Sequence, residues 1–202
     1  MIVAIVPACG HSTRMGRPKL ALPLGGGTVL GHLVTALREG GADRVVVVIG
    51  PHVPELAAIA NAAGADVLQL PVLTADMRAT IEHGLRWIAE NVQPQPDGWL
   101  LAPADHPAVM ADTVRRLCES YRASPGQVAV PVHGGKRGHP TLIPWRLAAE
   151  VPRIPAGQGI NALLRSAATV EVLVASAGVL SDLDTPDDYD RIRQTWPTNP
   201  CG

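Results

Sequence analysis

Short apolar runs alternate with amphipathic stretches along most of the chain. Residues 1–7 (MIVAIVP) and 44–50 (RVVVVIG) are continuous and rich in β-branched side chains. That is the pattern of strands buried on both faces. Residues 66–70, 99–103 (WLLAP), 127–132 and 170–175 are shorter runs of the same kind, and 141–144 reads as extended. Between them, apolar positions recur at helical spacing. Val29, Leu30, Leu33, Val34 and Leu37 mark a helix over 28–39, and Met77, Ile81, Leu85 and Ile88 mark one over 74–91. Further helices are predicted over 53–63, 111–122, 159–167 and 186–195. Thr28 is placed to cap the first helix, and Gly40-Gly41 and Gly64 to stop the first two. Residues 25–27 (GGG) read as a flexible turn and 133–140 as a polar loop. Met77, Ile81 and Leu85 are assigned to the core.

This alternation predicts an α/β fold. The expected form is a single three-layer α/β/α domain with a mostly parallel, Rossmann-like sheet over residues 1–195. A flexible tail is expected over 196–202. Ligands of such sheets bind at the carboxyl ends of the strands.

Composition narrows the class. The chain has 202 residues, 47% hydrophobic and 17% charged, which is globular and enough for one full core. Phe is absent, so aliphatic side chains must fill that core. A formal net charge of −1 gives no reason to expect a nucleic-acid or anionic-membrane surface. No run approaches the ~20 apolar residues of a membrane helix. Cys9, Cys118 and Cys201 form an odd set without C-x-x-C spacing. They offer neither a disulfide framework nor a zinc finger, and a reducing, cytoplasmic setting is expected.

The chemistry concentrates after the first strand. Residues 8–19 (ACGHSTRMGRPK) hold two glycines, two hydroxyls and three cations, with no acidic residue. A loop leaving a buried strand in this way can turn backbone N–H groups toward an anion. Arg14, Arg17 and Lys19 supply countercharge, so a phosphate chain is the ligand suggested. Neither the Walker A spacing nor G-x-G-x-x-G is present. Asp105 ends the 99–103 strand in Asp105-His106-Pro107, where a carboxylate can hold Mg²⁺ or simply cap a turn. In 182–189 (DLDTPDDY), Thr185, Pro186, Asp187 and Asp188 are explained by helix capping. Asp182 and Asp184 are not. A zinc site at His133 and His139 is not expected, because no metal-binding spacing accompanies them.

The first loop resembles the signature of the MobA-like nucleotidyltransferases, roughly L-A-(A/G)-G-x-S-x-R-M-G-x-x-K. Pro7 stands for the Leu and Cys9 for the Ala or Gly. Further segments resemble the family in order: Asp76–Leu85 with Thr80 for the family's Ser, Asp105-His106-Pro107, Gly138-His139-Pro140, and Asp182-Leu183-Asp184-Thr185-Pro186. A further stretch, 156–164, carries Gln158 and Asn161 where the family has Lys and Arg.

The resemblance implies a nucleotide-diphospho-sugar transferase-like fold. It also implies Mg²⁺-dependent transfer of a nucleotidyl group from an NTP to a phosphorylated acceptor, with release of pyrophosphate. Lys19, Arg14 and Asp105 take the catalytic roles. Ala8, Cys9, Gly10, His11, Ser12, Gly16, Lys19 and Thr80 bind the nucleotide. Asp105 and Asp184 hold the metal, with Asp182 in support. Gly138, His139, Pro140 and Asp182 face the acceptor. Within the family, molybdenum cofactor cytidylyltransferases are the most similar, which implies CTP and molybdopterin as substrates and a molybdoenzyme as partner. GTP, another small phosphorylated acceptor, or a non-catalytic cofactor chaperone remain as alternatives.

Overall fold

The computed structural model describes residues 1–10, 15 and 18–196. Strand β1 (Ile2–Ala8) is buried along its whole length. It pairs in parallel with β4 (Arg44–Ile49) on one side and β6 (Gly98–Leu101) on the other. The sheet continues outward through β5 (Asp66–Gln69) beside β4. On the other flank, β9 (Thr141–Pro144) lies between β6 and β7 (Val128–His133), and β10 (Thr169–Leu173) follows at the edge. β9 runs antiparallel to both of its neighbours. The sheet is therefore mixed but mostly parallel.

Alternation along β1 and β4 decides which side chain meets which layer. Ala4 and Val6 join Val45, Val47 and Ile49 on one face, and Val3 and Ile5 join Val46 and Val48 on the other. The first face is covered by α1 (Val29–Glu39), α2 (Glu55–Ala62), α4 (Ala111–Ala123) and α6 (Pro186–Thr195). The second is covered by α3 (Met77–Asn91), a 3-10 stretch at Trp145–Arg153, and α5 (Asn161–Ser166). Each fully buried Val or Ile contributes about 1.5–3 kcal/mol relative to exposure. The central strands, buried on both faces, thus make a rigid platform. The expected three-layer α/β/α architecture is what the chain adopts. No helix among the described residues is long and apolar enough to cross a membrane.

Several local expectations are corrected. Residues 25–27 are not merely a flexible turn. They lie in a hairpin of β2 (Pro23–Leu24) and β3 (Gly27–Thr28), with Gly25 at positive φ. Two-residue strands carry no readable period. The polar loop at 133–140 likewise contains β8 (Lys136–Arg137), folded back on β7 through Gly134 and Gly135, both at positive φ. Helix α3 starts at Met77, not Thr74, because Asp76 caps it by accepting from Ala79 N at 2.8 Å. Thr74 instead pairs its hydroxyl with Thr80 at 2.6 Å. Met77 is 54% exposed. As the first helical residue it faces the strand-end cleft, while Ile81 and Leu85 are core as expected. Trp196 packs its ring on His32, with centroids 4.5 Å apart.

One close approach ties the segment before residues 182–184 to the segment after Asp105. A Cβ on Gly178 would lie 1.9 Å from the Ala108 carbonyl oxygen. Gly178→Ala must therefore shift backbone, and overpacking of this kind costs about 1–3 kcal/mol. Denaturant unfolding should show a loss in that range; an unchanged midpoint would contradict the packing described.

Candidate active site

Because β1, β4 and β6 are parallel, their carboxyl ends share one edge of the sheet. Three segments meet there. Ala8, Cys9 and Gly10 leave β1. Lys19 opens a 3-10 turn (Lys19–Ala21) anchored by buried Leu20 and followed by buried Leu22. Asp105 follows β6. The third segment is held by its backbone: Leu183 N donates to the Asp105 carbonyl at 2.9 Å, and the Leu183 side chain is fully buried. That register sets Asp184 beside Asp105.

The segment's other acidic residues divide as the capping argument expects. Thr185 and Asp188 form a capping box at the start of α6, with Pro186 in the first turn. The Asp188 carboxylate accepts from the Thr185 N–H at 2.9 Å and the Thr185 hydroxyl at 2.7 Å. Asp184 is left to face the strand-end cleft. Lys19 Nζ donates to Asp105 Oδ2 at 2.8 Å and to Asp184 Oδ1 at 2.9 Å. Two carboxylates thus converge on one cationic nitrogen.

Burial alone would raise the Asp105 carboxyl pKa. Hydrogen bonds from His106 and Lys19, with the Lys19 charge, outweigh it and hold the group well below the usual carboxylate range. Burial alone would likewise lower Lys19. The hydrogen bonds and charges of Asp105 and Asp184 together overcome it and raise the ammonium. Both groups are therefore charged at neutral pH. His106 is a site residue that the sequence reading passed over. Its Nδ1 lies 2.9 Å from Asp105 Oδ1, which leaves Oδ2 to meet the cation. Its signal in sequence was its place directly after a strand-end aspartate.

A cavity of about 180 Å³ opens at this junction, walled by Pro7, Ala8, Gly10, Met77, Asp105 and Asp184 among others. A second, of about 230 Å³, is walled by Cys9, Thr74, Asp76 and Thr80 and shares Pro7, Gly10 and Met77 with the first. The two adjoin over the end of β1. Cys9 donates to the Val48 carbonyl at 3.5 Å. Burial raises its pKa against the pull of hydrogen bonds from Thr80 and Thr74, so it stays a neutral thiol. Two carboxylates, hard oxygen donors, fit Mg²⁺, which is bound through one or two carboxylates plus substrate phosphates. Asp105 and Asp184 are the residues that could hold it.

The remaining expected residues fall out differently. His11, Ser12, Arg14 and Gly16 lie outside the described residues. Gly138-His139-Pro140 packs against the 3-10 turn Ala177–Leu180. His139 N donates to the Val179 carbonyl at 2.9 Å, and a Cβ on Gly138 would lie 2.3 Å from that oxygen. This glycine is thus required by packing whatever else it does. The His139 ring meets His106 edge-on, 5.2 Å between centroids, with its Nδ1 buried and unbonded. Pro140 is buried and Asp182 exposed; the Asp182 charge reaches His139. Gln158, in the turn before α5, and Asn161, its first residue, are both exposed.

The candidate site is thus a cleft at the carboxyl end of a buried parallel strand, with two aspartates around one lysine ammonium. Residues 4–172 match the MobA-like NTP transferase domain, and the chain belongs to that family. It is 24% identical to the molybdenum cofactor cytidylyltransferase of Escherichia coli K12, over 96% of this chain and 97% of that protein. It is 26% identical to the nicotine blue oxidoreductase of Paenarthrobacter nicotinovorans, over 96% and 95%. It is 34% identical to the molybdenum cofactor guanylyltransferase of Mesorhizobium japonicum, over 71% and 66%. Among solved structures, a Mycobacterium tuberculosis H37Rv protein in complex with manganese superposes with a TM-score of 0.76. It is 28% identical, over 96% of this chain and 98% of that one.

The His139 environment predicts a pH dependence of stability. Burial, then the neighbouring His106, lowers its pKa from 6.5 to about 4, against the pull of Asp105 and Asp182. The unfolded chain takes up this proton first, so stability is full above pH ~6.5 and falls as pH drops toward 4. The expected loss is about 2–3 kcal/mol. Asp105, held low, adds its own loss only below pH ~4. Denaturant titrations across pH 7 to 4 should show a clearly shallower slope for His139→Gln than for the parent. Equal slopes would contradict a partly buried, neutral His139.

Proposed function

We propose that this chain is a Mg²⁺-dependent cytidylyltransferase that moves CMP from CTP to the phosphate of molybdopterin, releasing pyrophosphate. Residues 1–195 form the transferase domain, working in the cytoplasm and delivering product toward a molybdoenzyme. The observation that carries this is the meeting of Asp105 and Asp184 on one ammonium, at the mouth of a cleft that starts at Gly10. The family membership supports the reaction type.

On this reading, the acceptor's phosphate oxygen is already a nucleophile, so no general base is needed. That oxygen bonds to the α-phosphorus, and the bridging P–O bond to the β-phosphate breaks with its electron pair on pyrophosphate. Backbone N–H groups from Gly10 to Ser12, with Gly16, Arg14 and Lys19, hold the triphosphate. Ala8, Cys9, His11 and Thr80 shape the nucleotide's seat. Asp105 and Asp184 would hold Mg²⁺, which when bound would neutralise charge on the reacting phosphates. Gly138, His139, Pro140 and Asp182 border the acceptor. His106 fixes the rotamer of Asp105. Catalysis is then alignment and charge neutralisation. Cys9, bulkier than Ala or Gly, leaves less room in the cleft and favours the smaller pyrimidine base. Likeness to a guanylyltransferase keeps GTP as the second reading.

The test supplies purified protein with Mg²⁺, molybdopterin and each NTP in turn, and follows pyrophosphate. CTP should be the best donor. Tight binding without pyrophosphate release would overturn the enzyme reading in favour of a carrier role. Lys19→Ala should lower kcat about 10²–10³-fold, the scale for loss of one transition-state contact. Asp184→Asn should lower it more than Asp182→Asn; the reverse order would assign the metal to Asp182.

A further inference from the structure

We infer that Lys136, at the tip of the β7–β8 hairpin, is the cation that receives the acceptor's phosphate group. This rests on the acceptor reading above and adds a charged contact to it.

Sheet direction places the hairpin at the site. β9 runs antiparallel to both β6 and β7, so β7 points the same way as β6 and β1. Its carboxyl end, His133, lies at the sheet edge from which Asp105 emerges. The chain then turns through Gly134 and Gly135 and returns as Lys136–Arg137. It leads straight into Gly138 and His139. Gly138 N donates to the Pro131 carbonyl at 2.9 Å, and the His139 ring meets that of His106, the partner of Asp105. The hairpin is rooted in the site, with Lys136 within about 11 Å of His139 along even a fully extended chain.

Register decides which way Lys136 leans. Residues opposite each other on paired strands share a face, and successive residues alternate. Arg137 opposes Val132, and Lys136 opposes His133. Val128 and Val130 pack on the second face of the sheet, so Val132 and Arg137 lie to that side. There Arg137 meets Glu171 of β10 at 2.8 Å. Lys136 accordingly leans to the first face. That is the face of Leu183 and of α6, which starts directly after Asp184 and Thr185.

Charge gives the lysine its use. An anionic acceptor arriving on this side meets Asp182, Asp184 and Asp187 within one short run. Lys19 is engaged by Asp105 and Asp184, and Arg137 by Glu171. Lys136 is exposed and makes no ion pair among the described residues. A Cβ on Gly134 or Gly135 would meet nothing within 4 Å, so the tip is open to a ligand. A flexible four-carbon stem lets the ammonium follow a phosphate as the acceptor settles.

The test follows pyrophosphate release while molybdopterin and CTP are varied in turn, with the parent, Lys136→Ala and Lys136→Glu. Lys136→Ala should raise the KM for molybdopterin about fivefold or more, the scale of one close charge pair in water. Lys136→Glu should raise it further, and neither should move the KM for CTP. Added salt should weaken acceptor binding more in the parent than in Lys136→Ala. Both variants should keep the parent's urea midpoint, because the side chain is exposed. If the parent turns over and Lys136→Ala keeps its KM for molybdopterin, or raises both KM values alike, the anchor is wrong and the acceptor reading stands. If the parent releases no pyrophosphate from any NTP with molybdopterin, the acceptor reading fails and the anchor with it.

Discussion

Lys19, Asp105 and Asp184 are separated by 86 and 165 residues from the lysine, yet their charges meet at a single nitrogen. Bringing three charges to a half-buried position costs desolvation, which hydrogen bonds and mutual attraction outweigh at Asp105 and Lys19. The arrangement persists because each partner is positioned by something else. Asp105 rides on a central strand end, Asp184 on a capped helix start, and Lys19 on a short anchored turn. Two carboxylates held this close present paired oxygen donors at the cleft, the kind of set that suits a divalent ion bound together with substrate phosphates.

The fold supplies this convergence through direction and register. Parallel β1, β4 and β6 put their carboxyl ends together, so the first loop and Asp105 share an edge. The Leu183–Asp105 backbone bond then stitches the segment before α6 to that edge. Tyr189 strengthens the attachment by donating to the Pro23 carbonyl of β2. The acidic run 182–188 thus serves two ends at once: Asp188 satisfies the helix start, and Asp184 faces the cleft. The glycines at 138 and 178 work in the same direction. Each lets a backbone carbonyl approach where a methyl group would not fit.

Much of this was legible in the residues. The central strands are continuous apolar runs because they are buried on both faces, and that pattern has few other readings. The capping role of Thr185 and Asp188 followed from local chemistry, which is why Asp184 could be set apart. Other features depend on three-dimensional neighbours. Met77 has core periodicity but is the first residue of its helix and faces the cleft. His106 looked like a spacer between an aspartate and a proline; its contact with His139 across the fold is a tertiary fact. The stretch at Trp145–Arg153 is amphipathic at helical spacing but carries Pro152 inside it and winds as a 3-10 helix. The paired hydroxyls of Thr74 and Thr80 were hidden because Asp76, not Thr74, caps α3.

The central claim is that one metal site is shared by Asp105 and Asp184 at the foot of the first loop. Anomalous scattering from crystals grown with Mn²⁺ and CTP tests it most directly. The expected result is an anomalous peak between these two carboxylates. A peak coordinated elsewhere, with neither aspartate at the ion, would contradict it.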